Sequence, residues 1–303
     1  VSISTRVLPA PAEGVRVWLL AIRPQTLTAA VVPVLVGTAL AARAGGFRAA
    51  PAAAALLGAL LIQIGTNLAN DVGDFERGAD AAARVGPVRV TQSGLLTPRQ
   101  VRGAAWSAFA AAALAGLYLI ASSGWPIAVL GIAAIVSGWA YTGGPWPLGY
   151  NGLGDLFVFA FFGLAAVGGT FYVQAGAPGV LVWLAAVPVG ALASAILVVN
   201  NARDVDGDRA AGKRTLAVRL GREAARAEFA LLLGLAYTVP VLLWWEGLAS
   251  APVLLPWLTL PWAAHLARLM AIIRDGADFN AALRSTARLH ALFGALFAAG
   301  LLL

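Results

Sequence analysis

Nine stretches of apolar residues recur along the chain, at 24–42, 51–69, 103–121, 125–142, 154–173, 180–200, 227–245, 252–272 and 286–303. A helix needs about 20 residues to cross roughly 30 Å of hydrocarbon, and each stretch approaches that length. The pattern predicts an all-α polytopic membrane protein, a single domain over 1–303 with nine transmembrane helices. Alanine and glycine fill many of the stretches, as in Gly163-Leu164-Ala165-Ala166-Val167-Gly168, and small residues let helices approach closely. Pro33 and Pro188 fall inside stretches, where neighbouring groups can satisfy the carbonyls that proline frees. Ahead of the first stretch, Arg16-Val17-Trp18-Leu19 reads as a short interfacial helix, with Pro9 and Pro11 opposing helix just upstream. Residues 1–23 lack the basic segment, short apolar core and small-residue cleavage pattern of a secretory leader and read as mature protein.

Composition supports this picture. Of 303 residues, 60% are hydrophobic and 12% charged, whereas soluble domains carry about 25% charged residues. The absence of cysteine removes disulfide, thiolate and sulfur-ligated metal chemistry. His265 and His290 are too few for a histidine-rich metal site and read as packing or interfacial residues. A net charge of +7 raises the question of a nucleic-acid partner, but the charges avoid the apolar runs and gather in a few connectors. With nine spans and a cytoplasmic start, only Arg43 and Arg48 of the 21 basic residues fall outside. That is a positive-inside signal for a multi-pass membrane protein, surrounded by membrane lipids and without a nucleic-acid groove. It also places two acidic connectors, 68–102 and 201–226, on the same cytoplasmic face.

The first connector opens with Asn67-Leu68-Ala69-Asn70-Asp71-Val72-Gly73-Asp74, followed by Arg77, Gly78 and Asp80. If the preceding helix continues through Asp74, then Asn67, Asn70, Asp71 and Asp74 share one face at three- and four-residue spacing. The second opens with Asn200-Asn201-Ala202-Arg203-Asp204-Val205-Asp206-Gly207-Asp208 and continues to Lys213 and Arg214. Asn200, Asp204 and Asp208 again recur every four residues. The offset of 133 residues relates both Asn67 to Asn200 and Asp71 to Asp204, which suggests an old, imperfect internal duplication. One Asp-rich helix end is explained by solvation alone. Two on one face, each preceded by asparagine at membrane depth, call for a cation or basic partner.

Carboxylate oxygens suit Mg²⁺, which takes one or two carboxylates and leaves positions for phosphate oxygens. Two facing clusters could grip a diphosphate through intervening ions, with Asp71, Asp74, Asp80, Asp204 and Asp208 as metal ligands. Asn67, Asn70, Asn200, Arg77, Arg84, Arg89, Lys213 and Arg214 would surround the diphosphate. A diphosphate head at the wet rim with a hydrocarbon tail in the bundle describes an isoprenyl diphosphate. Breaking its C–O bond leaves a carbocation-like allylic fragment and a charged leaving group. No Gly-x-x-x-x-Gly-Lys-Ser/Thr loop and no His-Glu-x-x-His occurs, which argues against a nucleotide motor and the simplest zinc hydrolase.

A third connector, from Ala140 to Asp155, has no basic residue and carries Tyr141, Trp146 and Tyr150. These rings either stabilise a cation or planar acceptor or belong to the interfacial aromatic belt. Asp155 is the sole charged residue between Arg102 and Arg203. It either caps a helix N-terminus or orients or deprotonates the acceptor.

At these residues the chain resembles the UbiA-type intramembrane prenyltransferases over almost its whole length. The family's Asn-Asp-x-x-Asp is matched by Asn70-Asp71-Val72-Gly73-Asp74, and its Asp-x-x-x-Asp by Asp204 to Asp208. The further aspartate of the first motif is expected where Gly78 stands, and Asp80 follows two residues later. Asn67-Leu68-Ala69-Asn70-Asp71, Gly86-Pro87, Tyr141-Thr142-Gly143-Gly144-Pro145 and Gly154-Asp155 look like the branch acting on 1,4-dihydroxy-2-naphthoate, with Asp155 where that branch is expected to have glutamate. The resemblance implies a UbiA-type bundle and Mg²⁺-dependent transfer of a polyprenyl group from polyprenyl diphosphate to 1,4-dihydroxy-2-naphthoate, with loss of CO₂, in menaquinone synthesis. It implies catalytic roles for Asp71, Asp74, Asp204, Asp208, Asp155 and Tyr141. Alternative acceptors within the family are 4-hydroxybenzoate and haem; a secondary transporter with repeated halves is the alternative from another class. Prenyl length and oligomeric state are left open.

Overall fold

The computed structural model describes residues 11–79, 86 and 88–303. Asp80, Arg84 and Pro87 lie outside the described residues. The regular elements of the described chain are all helices, and they pack into one bundle.

Helix α1 (Pro11–Ile22) is longer than the sequence suggested, because Pro11 occupies its first turn, where a missing N–H costs nothing. Val17 and Ala21, four residues apart, are buried in a cluster with Leu68 and Val72. A short 3₁₀ turn leads into α2 (Thr28–Arg43), and α3 (Ala49–Glu76) follows. Helix α3 does run past Asp74, so the condition for a shared polar face is met. Helix α4 (Pro98–Ser123) starts sharply because Thr97 and Gln100 form a reciprocal capping box and Pro98 sits at the first helical position. Helix α5 (Trp125–Ala140) buries only Ile127 and Gly138.

The next apolar stretch begins as α6 (Gly154–Val158), widens to a π-helix over Phe159–Ala165 and resumes as α7 (Ala166–Ala175). The π segment faces α8 (Val180–Ala210), the central helix, which is buried around most of its circumference. A Cβ added at Gly163 would lie 2.7 Å from the Gly190 backbone, so this close crossing requires the small residues noted above. Helix α9 (Leu216–Leu220), α10 (Arg222–Trp245), a 3₁₀ segment (Ala251–Thr259), α11 (Leu260–Ile272) and α12 (Gly276–Leu302) complete the chain. The largest buried cluster joins α2, α7, α8, α10, α11 and α12 around Phe229, Phe293 and Phe297. Between helices in lipid, close van der Waals packing stabilises such a cluster more than removal from water does.

Six described helical stretches are long and apolar enough to cross a membrane. The pair Gly14–Thr26 and Thr28–Arg43, bent by 49°, adds a seventh candidate, and Trp125–Ala140 is a shorter apolar helix. Nine separate spans are therefore not established by length. The stretch at 252–272 is divided because Pro252, Pro256 and Pro261 impose 3₁₀ geometry before α11. The connectors 68–102 and 201–226 begin as helix: their carboxylates stand on the last turns of α3 and α8.

A cavity of about 400 Å³ lies among α2, α3, α4, α5, α6 and α7. Gln63, Thr66 and Tyr141 line it near the acidic helix ends, while Leu119, Ile127 and Val173 line its far end and belong to a small buried cluster there.

Candidate active site between two acidic helix ends

Asn67 is buried on α3, where its Nδ2 donates to the Ile22 carbonyl at 2.8 Å and to Thr26 Oγ1 at 2.9 Å. That pair of bonds pins the turn after α1, in which Arg23 adopts a left-handed backbone conformation at φ 57°. A non-glycine residue there is strained by about 1–3 kcal/mol. In this conformation the Arg23 guanidinium reaches Asp71 at 3.6 Å. Asp71 is almost fully buried and also accepts from the Thr91 backbone N–H at 3.0 Å. One turn on, Asp74 accepts from Arg89 Nη2 at 2.8 Å and from the Tyr150 hydroxyl at 2.9 Å.

The second end is organised differently. Arg203 is buried and grips Asp204 in a fork, with Nε and Nη2 each 2.7 Å from a carboxylate oxygen. The same guanidinium donates to Asn200 Oδ1 at 2.7 Å and to Asn280 Oδ1 of α12 at 2.8 Å. Asp208 is buried, and Lys213 Nζ lies 3.7 Å from it. Asp206 points outward to Arg222 at 2.7 Å.

The third connector joins the two ends. Thr142 Oγ1 donates to Asn70 Oδ1 at 3.1 Å, and Arg77 Nε donates to the Thr142 carbonyl at 2.8 Å and through Nη2 to the Gly144 carbonyl. Gly73 is required at this crossing, since a Cβ there would lie 2.5 Å from Thr142 Oγ1. On the other side, the Arg214 N–H donates to the Tyr150 carbonyl at 2.9 Å, and Arg219 Nη2 donates to the Asn151 carbonyl at 2.9 Å. Arg77 and Lys213, one from each end, each lie 5.3 Å from the centre of the Tyr150 ring, within cation–π range. Burial first, and then the Asp74 carboxylate, push the Tyr150 hydroxyl well above its usual range, so it remains a donor to Asp74.

Tyr141 connects this polar layer to the cavity that it lines. A Cβ at Gly149 would lie 2.9 Å from the Tyr141 ring and one at Gly154 2.7 Å from its hydroxyl oxygen, so the two glycines make room for Tyr141. Asp155 follows in the first turn of α6, buried, with its Oδ1 lacking any hydrogen-bond partner. Trp146 is exposed, as an interfacial ring would be.

A model of the UbiA prenyltransferase family matches residues 30–301. The chain belongs to that family.

Among its UbiA relatives, the chain is 44% identical to a 1,4-dihydroxy-2-naphthoate octaprenyltransferase of Mycobacterium tuberculosis, over 78% of this chain and 83% of that protein. It is 35% identical to the Haemophilus influenzae protein of the same name, covering 96% of this chain and 97% of the other. The fold is similar to that of a UbiA homolog from Archaeoglobus fulgidus bound to GPP and Mg²⁺, with a TM-score of 0.63 at 17% identity, covering 94% of this chain and 99% of that one.

Of the residues that the sequence singled out, Asn70, Asp74, Arg77 and Lys213 meet at the third connector, with Arg89 on Asp74 and Asp208 beside Lys213, whereas Asn67 pins the turn after α1 and Asn200 and Asp204 accept from Arg203 of their own helix. Sequence reasoning missed Arg23, Thr91, Arg203 and Asn280 as partners. Arg203 alone carried a visible signal, a basic residue set directly beside Asp204.

The donor chemistry fits Mg²⁺ in a particular way. Among the described residues no three carboxylates or imidazoles are placed to enclose an ion by themselves. An ion with one or two carboxylates at each helix end and phosphate oxygens in its other positions matches both that arrangement and the habit of Mg²⁺.

Proposed function

We propose that this UbiA protein transfers a polyprenyl group from polyprenyl diphosphate to 1,4-dihydroxy-2-naphthoate with loss of CO₂, in a Mg²⁺-dependent reaction that yields demethylmenaquinol and diphosphate. The observation that carries this reading is the meeting of both acidic helix ends on Tyr150, beside an apolar cavity, in a chain whose relatives bear that activity in their names.

Asp71 and Asp74 on one side, with Asp204 and Asp208 on the other, are the residues that would hold Mg²⁺; Asp80 belongs to the same set by sequence. Bound there, Mg²⁺ supplies positive charge to the departing diphosphate. Lys213 and Arg214, with Arg84 by sequence, provide further positive charge to the diphosphate, while Arg77 and Arg89 orient the carboxylates and the connector. The C–O bond breaks with its electron pair leaving on the diphosphate, and Tyr141 faces the allylic carbon with its ring. The acceptor's ring carbon forms the new C–C bond with the electrons released when its carboxylate departs as CO₂. Asp155 accepts a hydrogen bond from an acceptor hydroxyl, which uses its unpaired Oδ1 and enriches the aromatic ring. The apolar cavity holds the tail and keeps water from the cation.

In the membrane, the same reading has nine passes: the seven candidates, α5, and the 3₁₀ segment continued by α11. Both acidic ends then face the bacterial cytoplasm, with Arg43 and Arg48 opposite.

Purified protein supplied with a long-chain prenyl diphosphate and Mg²⁺ is expected to prenylate 1,4-dihydroxy-2-naphthoate in preference to 4-hydroxybenzoate or haem. Product formation that survives complete chelation of divalent metal, or that favours another acceptor, would overturn it.

A further inference from the structure

Glycine inside a transmembrane helix normally marks a place where another backbone or side chain comes close. Most glycines of this bundle follow that rule: a Cβ would meet Phe109 at 2.6 Å from Gly65, Thr66 Oγ1 at 2.4 Å from Gly138 and Thr170 at 2.8 Å from Gly37. Gly58, Gly116 and Gly131 do not, and of the open helical glycines among the described residues these are the ones that line the cavity. They lie within α3, α4 and α5, line the cavity, and have nothing within 4 Å of the position a Cβ would take. Gly58 is itself buried. A helix-interior glycine costs about 1 kcal/mol relative to alanine, and close packing offsets none of that at these three positions.

The three also lie at one depth. Gly65, Phe109, Thr66 and Gly138 touch one another across α3, α4 and α5 and define a common level. From it, Gly58, Gly116 and Gly131 are each seven residues away in the direction leading from the acidic ends, since α4 runs opposite to α3 and α5. At 1.5 Å per residue that is about 10 Å, and Gly58 is about 20 Å along α3 from Asp71. Nearer the acidic ends, buried Gln63 lines the same cavity with an Oε1 that has no hydrogen-bond partner.

We propose that Gly58, Gly116 and Gly131 form an open ring in the tail chamber that admits long prenyl donors and sets donor chain length. The inference rests on the reading of the cavity as the site of a prenyl tail. A five-carbon unit extends on the order of 5 Å, given bonds of about 1.5 Å. A two-unit tail attached to a diphosphate at Asp71 and Asp74 ends short of the ring, a four-unit tail reaches it, and a longer tail passes through it. A side chain added at the ring narrows the bore, and its Cβ has open space to enter.

The test compares Gly116→Leu, Gly131→Leu and the smaller Gly131→Ala with wild type and with Gly234→Leu, whose position is equally open but lies on the exposed face of α10, away from the cavity. Binding of labelled two-unit and eight-unit prenyl diphosphates to detergent-purified protein is measured without acceptor, and turnover of each is measured with it. The leucine variants are expected to lose at least 10-fold in affinity and turnover for the eight-unit donor while staying within about twofold of wild type for the two-unit donor. Gly131→Ala shifts the ratio in the same direction by less, and Gly234→Leu leaves it unchanged. An unchanged ratio of long to short donor in Gly131→Ala and in whichever leucine variants fold overturns the ring. Failure of wild-type protein to bind either donor would instead remove the prenyl reading itself.

Discussion

The two acidic helix ends share an asparagine four residues before the first aspartate but not a method of support. On α3, the partners of Asp71 and Asp74 come from other elements: Arg23 from the turn after α1, Thr91 and Arg89 from the segment before α4, and Tyr150 from the third connector. On α8, the fork that holds Asp204 comes from the adjacent Arg203, fixed in turn by Asn200 of the same helix and Asn280 of α12. Tertiary closure thus assembles the first end, whereas the fork on Asp204 comes from α8 itself and is anchored on α12. The two carboxylate patterns resemble each other, while the side chains that support them differ.

That contrast can be broken most severely at the carboxylates themselves. Asp71→Asn and Asp204→Asn keep side-chain volume and remove charge, and each is expected to lower turnover by on the order of 100-fold or more, the scale for removing a preorganised electrostatic group. Equal turnover in wild type and both variants, at saturating Mg²⁺, would end the two-sided account. Asp155→Asn, outside both ends, is expected to cost tens-fold in turnover, on the scale of general acid–base groups, while donor binding by labelled prenyl diphosphate stays close to wild type. Comparable losses in both assays would move Asp155 into the diphosphate site.

The supports separate next. Arg203→Ala leaves a carboxylate without its fork and is expected to cost about 3–5 kcal/mol of stability, the range for breaking one side of a buried ion pair. Arg89→Ala is expected to cost less, because Arg203 anchors Asp204, Asn200 and Asn280 together, whereas Asp74 keeps the Tyr150 hydroxyl. Denaturation midpoints of detergent-solubilised protein should show that order, and the reverse order would show the two ends to be wrongly distinguished. Tyr150→Phe keeps the ring between Arg77 and Lys213 and removes one hydrogen bond to Asp74, for an expected loss of about 0.5–1.5 kcal/mol in transition-state stabilisation. Because burial and Asp74 hold the hydroxyl well above its usual pKa, the folded state favours the protonated phenol, and its hydrogen bond survives as pH rises through the ordinary tyrosine range. Wild-type turnover should therefore show no alkaline limb belonging to Tyr150 up to pH 10. The smallest effect belongs to Arg102, whose pair with Glu76 is about half-exposed on both sides. Arg102→Ala is expected to change stability by less than about 1 kcal/mol.

Much of the architecture was readable in advance because burial in a bilayer leaves a long-range signature: unbroken apolar runs, with charge confined to their ends. The face shared by Asn67, Asn70, Asp71 and Asp74 followed from helical periodicity alone, once α3 was taken past Asp74. Less was visible at the third connector. Tyr150 was one aromatic among three, and nothing in its neighbours indicates that it would join Asp74 to Lys213. Pro252, Pro256 and Pro261 were likewise visible, but whether they kink a span or convert its first half to 3₁₀ depends on what packs beside them.

Helix formation, the two carboxylate patterns and the apolar surface around them are local or compositional properties, so the chain determined them by itself. Which cation meets which carboxylate, why Arg23 accepts a left-handed backbone, and why Gly58, Gly116 and Gly131 stand at one level depend on contacts between residues far apart in the chain. Only packing decided these, because a side chain's partner is set by where helices cross, and sequence spacing reports that distance only within a single helix.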